Sequence, residues 1–214
     1  MKRGAFIVVE GLDRVGKSSQ CINLVQYLNE HGVTTVGKKF PDRTTETGIR
    51  IDRYLRKIED MSDEEIHRLY ADNRKEVNDE FFELLESGKT IVCDRYAMSG
   101  SAYTCAKGYE LDWAMEYDAG IIKPDLIIYL TGDRELLVER LAATAAEALE
   151  RYEQIDFLLK VNSLLEKIIV GTKIFTHKIV SARGTREEVL MRITEGLIDQ
   201  LATLTEHEIE SLWN

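Results

Sequence analysis

The octapeptide Gly11-Leu12-Asp13-Arg14-Val15-Gly16-Lys17-Ser18 fits the pattern G-x-x-x-x-G-K-[ST], and its setting constrains how the surrounding chain can fold. The apolar run Ala5–Val9 enters it and reads as a buried strand. The stretch Lys17–His31 leaves it with Cys21, Leu24, Val25 and Leu28 on one face and Gly32 as a stop, the pattern of an amphipathic helix. Strand, glycine loop and helix N-terminus together form an anion cradle. Glycines let backbone N–H groups turn inward, and the helix dipole favours a phosphate at its start. In such a loop Lys17 reaches the terminal phosphates and the Ser18 hydroxyl ligates magnesium. A nucleoside triphosphate is the predicted ligand.

The rest of the chain repeats the strand–helix alternation. Strand-like runs fall at Ala5–Val9, Val33–Phe40, Thr90–Cys93, Asp125–Leu130 and His177–Ser181. Helical patterns lie between and after them, at 17–31, 47–58, 62–86, 99–118, 133–148, 153–170 and 185–204. Ser62 with Glu65, and Thr185 with Glu188, supply capping boxes. Strands separated by helices predict an α/β fold in three layers, a five-stranded parallel sheet with helices on both faces. No repeat or Pro/Gly/Ser linker interrupts the 214 residues, and both prolines, Pro41 and Pro124, sit at strand boundaries. One domain spanning 1–214 is the economical expectation.

Charge and composition narrow the partners. The net charge of −10 argues against a nucleic-acid polymer, which needs a basic surface, but not against small anions held by local arginines. The apolar runs are far too short for a membrane span, and the first strand begins too early to leave room for a signal or transit peptide. Cys21, Cys93 and Cys105 show no CxxC spacing and suit buried thiols in a reducing compartment, hence a cytoplasmic protein.

In parallel α/β sheets ligands bind at the carboxyl ends of the strands. Phe40-Pro41-Asp42-Arg43-Thr44-Thr45 follows the second strand, and Asp94-Arg95-Tyr96 through Gly100 to Tyr103 follows the third. Each places an arginine at the sheet rim, facing the space in front of the phosphate loop. Two converging guanidiniums suit a second phosphate, because each can fork two of its oxygens.

The ordered set GLDRVGKSS, FPDRTT, Asp72-Asn73-Arg74, DRYAMSGSAY, Lys123–Leu130 (KPDLIIYL) and Glu150–Glu153 (ERYE) resembles thymidylate kinases over essentially the whole chain. The eukaryotic and poxviral branch is the nearest likeness, by Asp13-Arg14 in the loop and the Leu212-Trp213 tail. The resemblance implies transfer of the ATP γ-phosphate to dTMP, with Mg²⁺ as cofactor, in a homodimer. It implies a dTMP side of Asp13 on the sugar 3′-OH, Tyr70 stacked on the base and Arg74 on a thymine carbonyl. Phe40, Arg43, Arg95, Gly100 and Tyr152 join that side, and Tyr103 crowds the 2′ position. It implies an ATP side of Gly11, Arg14, Val15, Gly16, Lys17, Ser18 and Ser19, with Arg140 and Arg183 near the adenine. The catalytic set is then Arg14, Lys17, Asp94 and Arg95, with Ser18 and Asp94 toward the metal. The chain departs from many relatives in its lid, around 141–153, where no cation lies between Arg140 and Arg151; Arg14 is left to supply the charge. Physical chemistry agrees with this chemistry: the acceptor phosphate has a second pKa of about 6 and needs no strong general base.

Rival readings are weaker. A deoxynucleoside kinase needs a carboxylate to deprotonate a hydroxyl and has no use for the FPDR arginine. A GTPase switch needs N-K-x-D and D-x-x-G segments, and neither occurs. A non-catalytic nucleotide-binding protein leaves the acceptor arginines without a purpose.

Overall fold

The structure, a computed structural model, describes residues 2–143, 151, 152 and 154–213. Five strands form one sheet: β1 (Phe6–Gly11), β2 (Thr35–Lys39), β3 (Thr90–Asp94), β4 (Leu126–Thr131) and β5 (His177–Ser181), in the spatial order β2-β3-β1-β4-β5. Every pairing is parallel. The expected strands are all present, shifted by a residue or two at their ends. β1, β3 and nearly all of β4 are buried, which is why they read as continuous apolar runs. Burying each Val, Ile or Leu there contributes about 1.5–3 kcal/mol.

Helices cover both faces. α1 (Lys17–Glu30) packs against α9 (Arg186–Thr194), and α5 (Ala97–Ala106) against α8 (Ile155–Glu166). The remaining helices are α2 (Glu46–Leu55), α3 (Asp63–Lys75), α4 (Asn78–Glu86), α6 (Leu111–Glu116), α7 (Arg134–Ala142) and α10 (Leu197–Leu204). Both expected capping boxes are formed.

Three predicted helices prove to be two each. The stretch 99–118 divides into α5 and α6 around Gly108, and 185–204 into α9 and α10 at Gly196, each glycine with positive φ. The stretch 62–86 breaks without a glycine, and its two halves face different cores. Ile66 and Leu69 of α3 join a small cluster with Ile51, Tyr54 and Leu55 of α2, whereas Phe81 and Leu85 of α4 enter the main core on the sheet. One straight helix could not serve both. α8 ends in a π-helical turn, Lys167–Gly171. Of the expected 141–153 lid, 144–150 and 153 lie outside the described residues.

The register aligns the functional loops. Val9 and Lys39 both pair with Asp94, and Gly11 pairs with Leu130. The strands next to β1 are reached by connections running in opposite directions, so a crevice opens beyond the ends of β1 and β3.

Candidate active site

The phosphate loop folds as its sequence requires. Gly11 has φ +145°, and a Cβ there would stand 2.4 Å from the Leu130 carbonyl oxygen. Arg14 adopts φ +67° without being glycine. The Lys17 side chain is buried, and its Nζ donates to the Leu12 carbonyl at 2.6 Å. Burial, with the nearby Arg95 charge, brings the Lys17 ammonium down to about 8. An ammonium so placed gains more from an incoming phosphate than one already hydrated.

Asp94, at the end of β3, accepts from the Ser18 hydroxyl through Oδ2 at 2.5 Å, and its buried Oδ1 has no hydrogen-bond partner among the described residues. Lys39 Nζ stands 3.3 Å from Ser18 Oγ and 3.7 Å from Asp94 Oδ2. An orphaned buried carboxylate oxygen beside a loop hydroxyl is a donor set that fits Mg²⁺, which keeps waters and takes its other ligands from substrate phosphates. Among the described residues no group of three His, Cys, Asp or Glu could cage a metal without such help.

Arg95 begins the other side. Its Nη2 pairs with Asp13 Oδ1, its Nη1 donates to Ser99 Oγ at 3.1 Å, and the Tyr103 hydroxyl donates to Asp13 Oδ2 at 2.6 Å. Against the cost of burial, the Arg95 and Lys17 charges and the Tyr103 and Arg95 hydrogen bonds hold the Asp13 carboxyl well below the usual range. Burial and the Asp13 charge push the Tyr103 phenol well up, so it stays a donor. Arg43 Nη1 bonds Asp52 Oδ1 at 2.6 Å. The loop carrying Arg43 is gripped by buried Asn73, which accepts from Asp42 N and donates to the Asp42 carbonyl, Thr45 and Thr47.

Arg74 is buried and forked onto Asp118, Nε to Oδ1 and Nη2 to Oδ2, both 2.7 Å. Removing either partner of such a pair costs about 3–5 kcal/mol. A Cβ on Gly100 would meet Arg74 Nη2 at 2.8 Å, so glycine is what lets the pinned guanidinium lie against α5. Tyr152 bonds Tyr54 hydroxyl to hydroxyl at 2.8 Å, stacks on Phe157 with ring centroids 5.6 Å apart, and meets Tyr103 edge to face.

One cavity of about 500 Å³ connects these groups. Asp13, Arg14, Gly16, Lys17, Ser18 and Ser19 line it from the phosphate loop. Phe40 and Arg43, then Asp94, Arg95, Gly100 and Tyr103, line it from the strand ends and α5, with Tyr70, Arg74 and Tyr152 at the far end. Gly11, Val15, Arg140 and Arg183 lie outside its wall. Arg140 donates to the carbonyls of Arg14 and Ala182, stitching the phosphate loop to the segment after β5. Arg183 pairs with Asp133 and Glu135 at the surface. Arg151, the cation at the edge of the lid, donates to Tyr54 O, pairs with Asp60 and covers the Tyr54 ring.

Sequence reasoning assigned no role to Glu10, Ser99 or Asp118. Glu10 carried a signal, a carboxylate directly after an apolar strand run, at the strand end where ligands bind; Asp118 carried none.

The likenesses to known proteins converge. The family model described as Thymidylate kinase matches residues 9–193. The thymidylate kinase of Dictyostelium discoideum is 39% identical over 91% of this chain and 85% of its own length. That of Danio rerio is 39% identical over 99% of this chain and 98% of its own. The solved structure of the Candida albicans thymidylate kinase superposes with a TM-score of 0.81 at 31% identity, covering 98% of each chain.

Proposed function

This chain belongs to the thymidylate kinase family and transfers phosphate from ATP to dTMP; from that premise we propose how its residues divide the reaction. Arg95 and Arg43 grip the dTMP phosphate, Asp13 takes the sugar 3′-OH, Tyr70 stacks on the base, and Arg74 donates to a thymine carbonyl. Phe40, Gly100, Tyr103 and Tyr152 shape that pocket, Tyr103 by crowding the 2′ position. The backbone of Gly11–Ser19 cradles the ATP phosphates, with Arg140 and Arg183 beside the adenine.

The acceptor oxygen is already anionic at neutral pH, so no residue has to remove a proton. A bond forms from that oxygen to the γ-phosphorus as the bond to the ADP oxygen breaks. What the protein supplies is alignment and positive charge on the moving group. Lys17 brings one charge, and Arg14 brings the second, on a loop already wrapped around the phosphates. Mg²⁺, held through Ser18 and Asp94, would neutralise further charge on the phosphate oxygens. The chain works as one domain over 1–214, with its lid around 141–153, as a homodimer in the cytoplasm. No helix among the described residues is long and apolar enough to cross a membrane.

The observation that carries this division is the single cavity lined both by Lys17 and Ser18 and by the two strand-end arginines. Steady-state kinetics of Arg14→Gly test it. The expected result is a loss of at least about a hundredfold in kcat with a smaller change in nucleotide KM. Near-normal kcat in Arg14→Gly, together with a large loss in Arg151→Ala, would assign the charge to the lid instead.

A further inference from the structure

We infer that Glu10 is a positioning residue for the acceptor phosphate, acting through Ser99 to aim the Arg95 guanidinium before dTMP arrives. Glu10 lies on β1, fully buried, and is not part of the cavity wall. A carboxylate in such a place is costly unless its oxygens are satisfied. Here they accept from Tyr96 N at 3.0 Å, Ser99 N at 3.1 Å and Ser99 Oγ at 2.5 Å. Tyr96 is the N-cap residue of α5 and makes no side-chain cap. Glu10 therefore caps this helix from the central strand, joining the loop that carries Arg95 to the strand that feeds the phosphate loop.

The proton on Ser99 gives the contact its direction. Its hydroxyl hydrogen is committed to Glu10 Oε2, so toward Arg95 Ser99 presents lone pairs, and Arg95 Nη1 donates to them at 3.1 Å. The guanidinium is held on its other nitrogen by Asp13. Two carboxylates, one direct and one through a hydroxyl, thus fix its plane. Arg95 also has φ +70°, so its backbone does not sit in a relaxed region that would place the side chain unaided. A glutamine at position 10 could not replace the carboxylate. With its amide nitrogen toward Ser99 it stops accepting the hydroxyl proton, and with that nitrogen turned the other way it faces two backbone donors.

This inference rests on the reading of Arg95 as a dTMP phosphate ligand. The test is steady-state kinetics of Glu10→Gln and Ser99→Ala for both substrates, each also in an Arg95→Ala background, with circular dichroism and melting to confirm the fold. Each single substitution should raise the dTMP KM roughly tenfold or more, the effect of losing a hydrogen bond to a charged group, and leave the ATP KM within about twofold. In the Arg95→Ala background neither should add to the loss. A folded Glu10→Gln and Ser99→Ala with wild-type dTMP KM, equal losses for ATP and dTMP, or full additivity with Arg95→Ala would each overturn the relay. Should Glu10→Gln fail to fold, Ser99→Ala decides, since it leaves the caps on Tyr96 N and Ser99 N in place. An Arg95→Ala enzyme with unchanged dTMP KM would refute the parent reading, whereas a normal Arg95→Ala loss with silent Glu10 and Ser99 changes refutes the relay alone.

Discussion

At the proposed dTMP end of the cleft the cations come with carboxylates: Arg95 with Asp13, Arg74 with Asp118, Arg43 with Asp52. At the proposed ATP end Lys17 bonds a backbone carbonyl and Asp94 keeps a buried oxygen with no partner among the described residues. The two ends also rest on different packing. α2 and α3 build a small apolar cluster beside Tyr70 and Tyr152, while the phosphate loop springs directly from the central strand of the main core. Paired arginines have fixed directions before a ligand arrives, which suits the recognition of one sugar, one base and one phosphate. A desolvated lysine and an orphaned carboxylate oxygen instead hold interaction capacity in reserve for phosphates and a metal ion. On the proposed division, the contrast is between a pre-aimed acceptor side and a donor side whose electrostatics are completed by its ligands.

Lys17→Ala breaks the donor side and should show the largest effect. We expect kcat to fall by on the order of 10³ or more with the fold intact, measured by a coupled ADP assay alongside a thermal melt. Near-normal turnover in a folded variant would remove the contrast. On the acceptor side, Arg95→Ala should cost about 2–5 kcal/mol in kcat/KM for dTMP, because it strands Asp13 as well as freeing the phosphate. Arg43→Ala should fall below that range, since its side chain is 36% exposed and its loop is held independently by Asn73. ATP affinity should barely move in either, and a selective loss of ATP binding would exchange the two ends. Tyr103 sharpens the acceptor side further. Tyr103→Phe keeps the bulk and should keep deoxyribose selectivity, whereas Tyr103→Ala should narrow the gap to ribonucleotides by about 1–3 kcal/mol. Equal discrimination in all three proteins would leave Tyr103 a packing residue.

The smallest effect is a proton. Lys17 in the nucleotide-free enzyme titrates at about 8, below its ordinary 10.5. Phosphate binding should restore the charge, so ATP binding at pH 8 should take up about half a proton, read from calorimetry in buffers of different ionisation enthalpy. The same shift has a stability sign. Between about pH 8 and 10.5 the unfolded chain holds more protons than the folded one, so this group adds stability as pH rises through that window. Absence of proton uptake would mean that Lys17 is charged before ATP arrives.

What could be read from the sequence was whatever is encoded locally. The phosphate loop, the capping boxes at Ser62 and Thr185, and the buried strands each depend on neighbours a few residues away. The motifs FPDR and DRY were legible because parallel-sheet topology makes every strand end a candidate site. The helix breaks at 76–77, 108 and 196 were harder. Periodicity continues across them, and the break at 76–77 answers to which core each half faces. The partners were hardest of all. Asp118 meets Arg74 across 44 residues, and Glu10 meets Ser99 across 89. Such pairs are written in the topology, and spacing along the chain gives no hint of them.

Arg14, at φ +67°, sits where a side chain strains the backbone by roughly 1–2 kcal/mol and a glycine does not. The proposed charge carrier therefore occupies a position that the fold by itself would fill with the smallest residue. Release of that strain offsets the side-chain interactions that are lost, so Arg14→Gly should lose rate while its melting temperature stays within about a few degrees of the parent. For lineages that drift, this makes position 14 a one-way ratchet. Once another cation takes over the charge, the backbone at position 14 favours glycine, and returning to arginine means accepting the strain again.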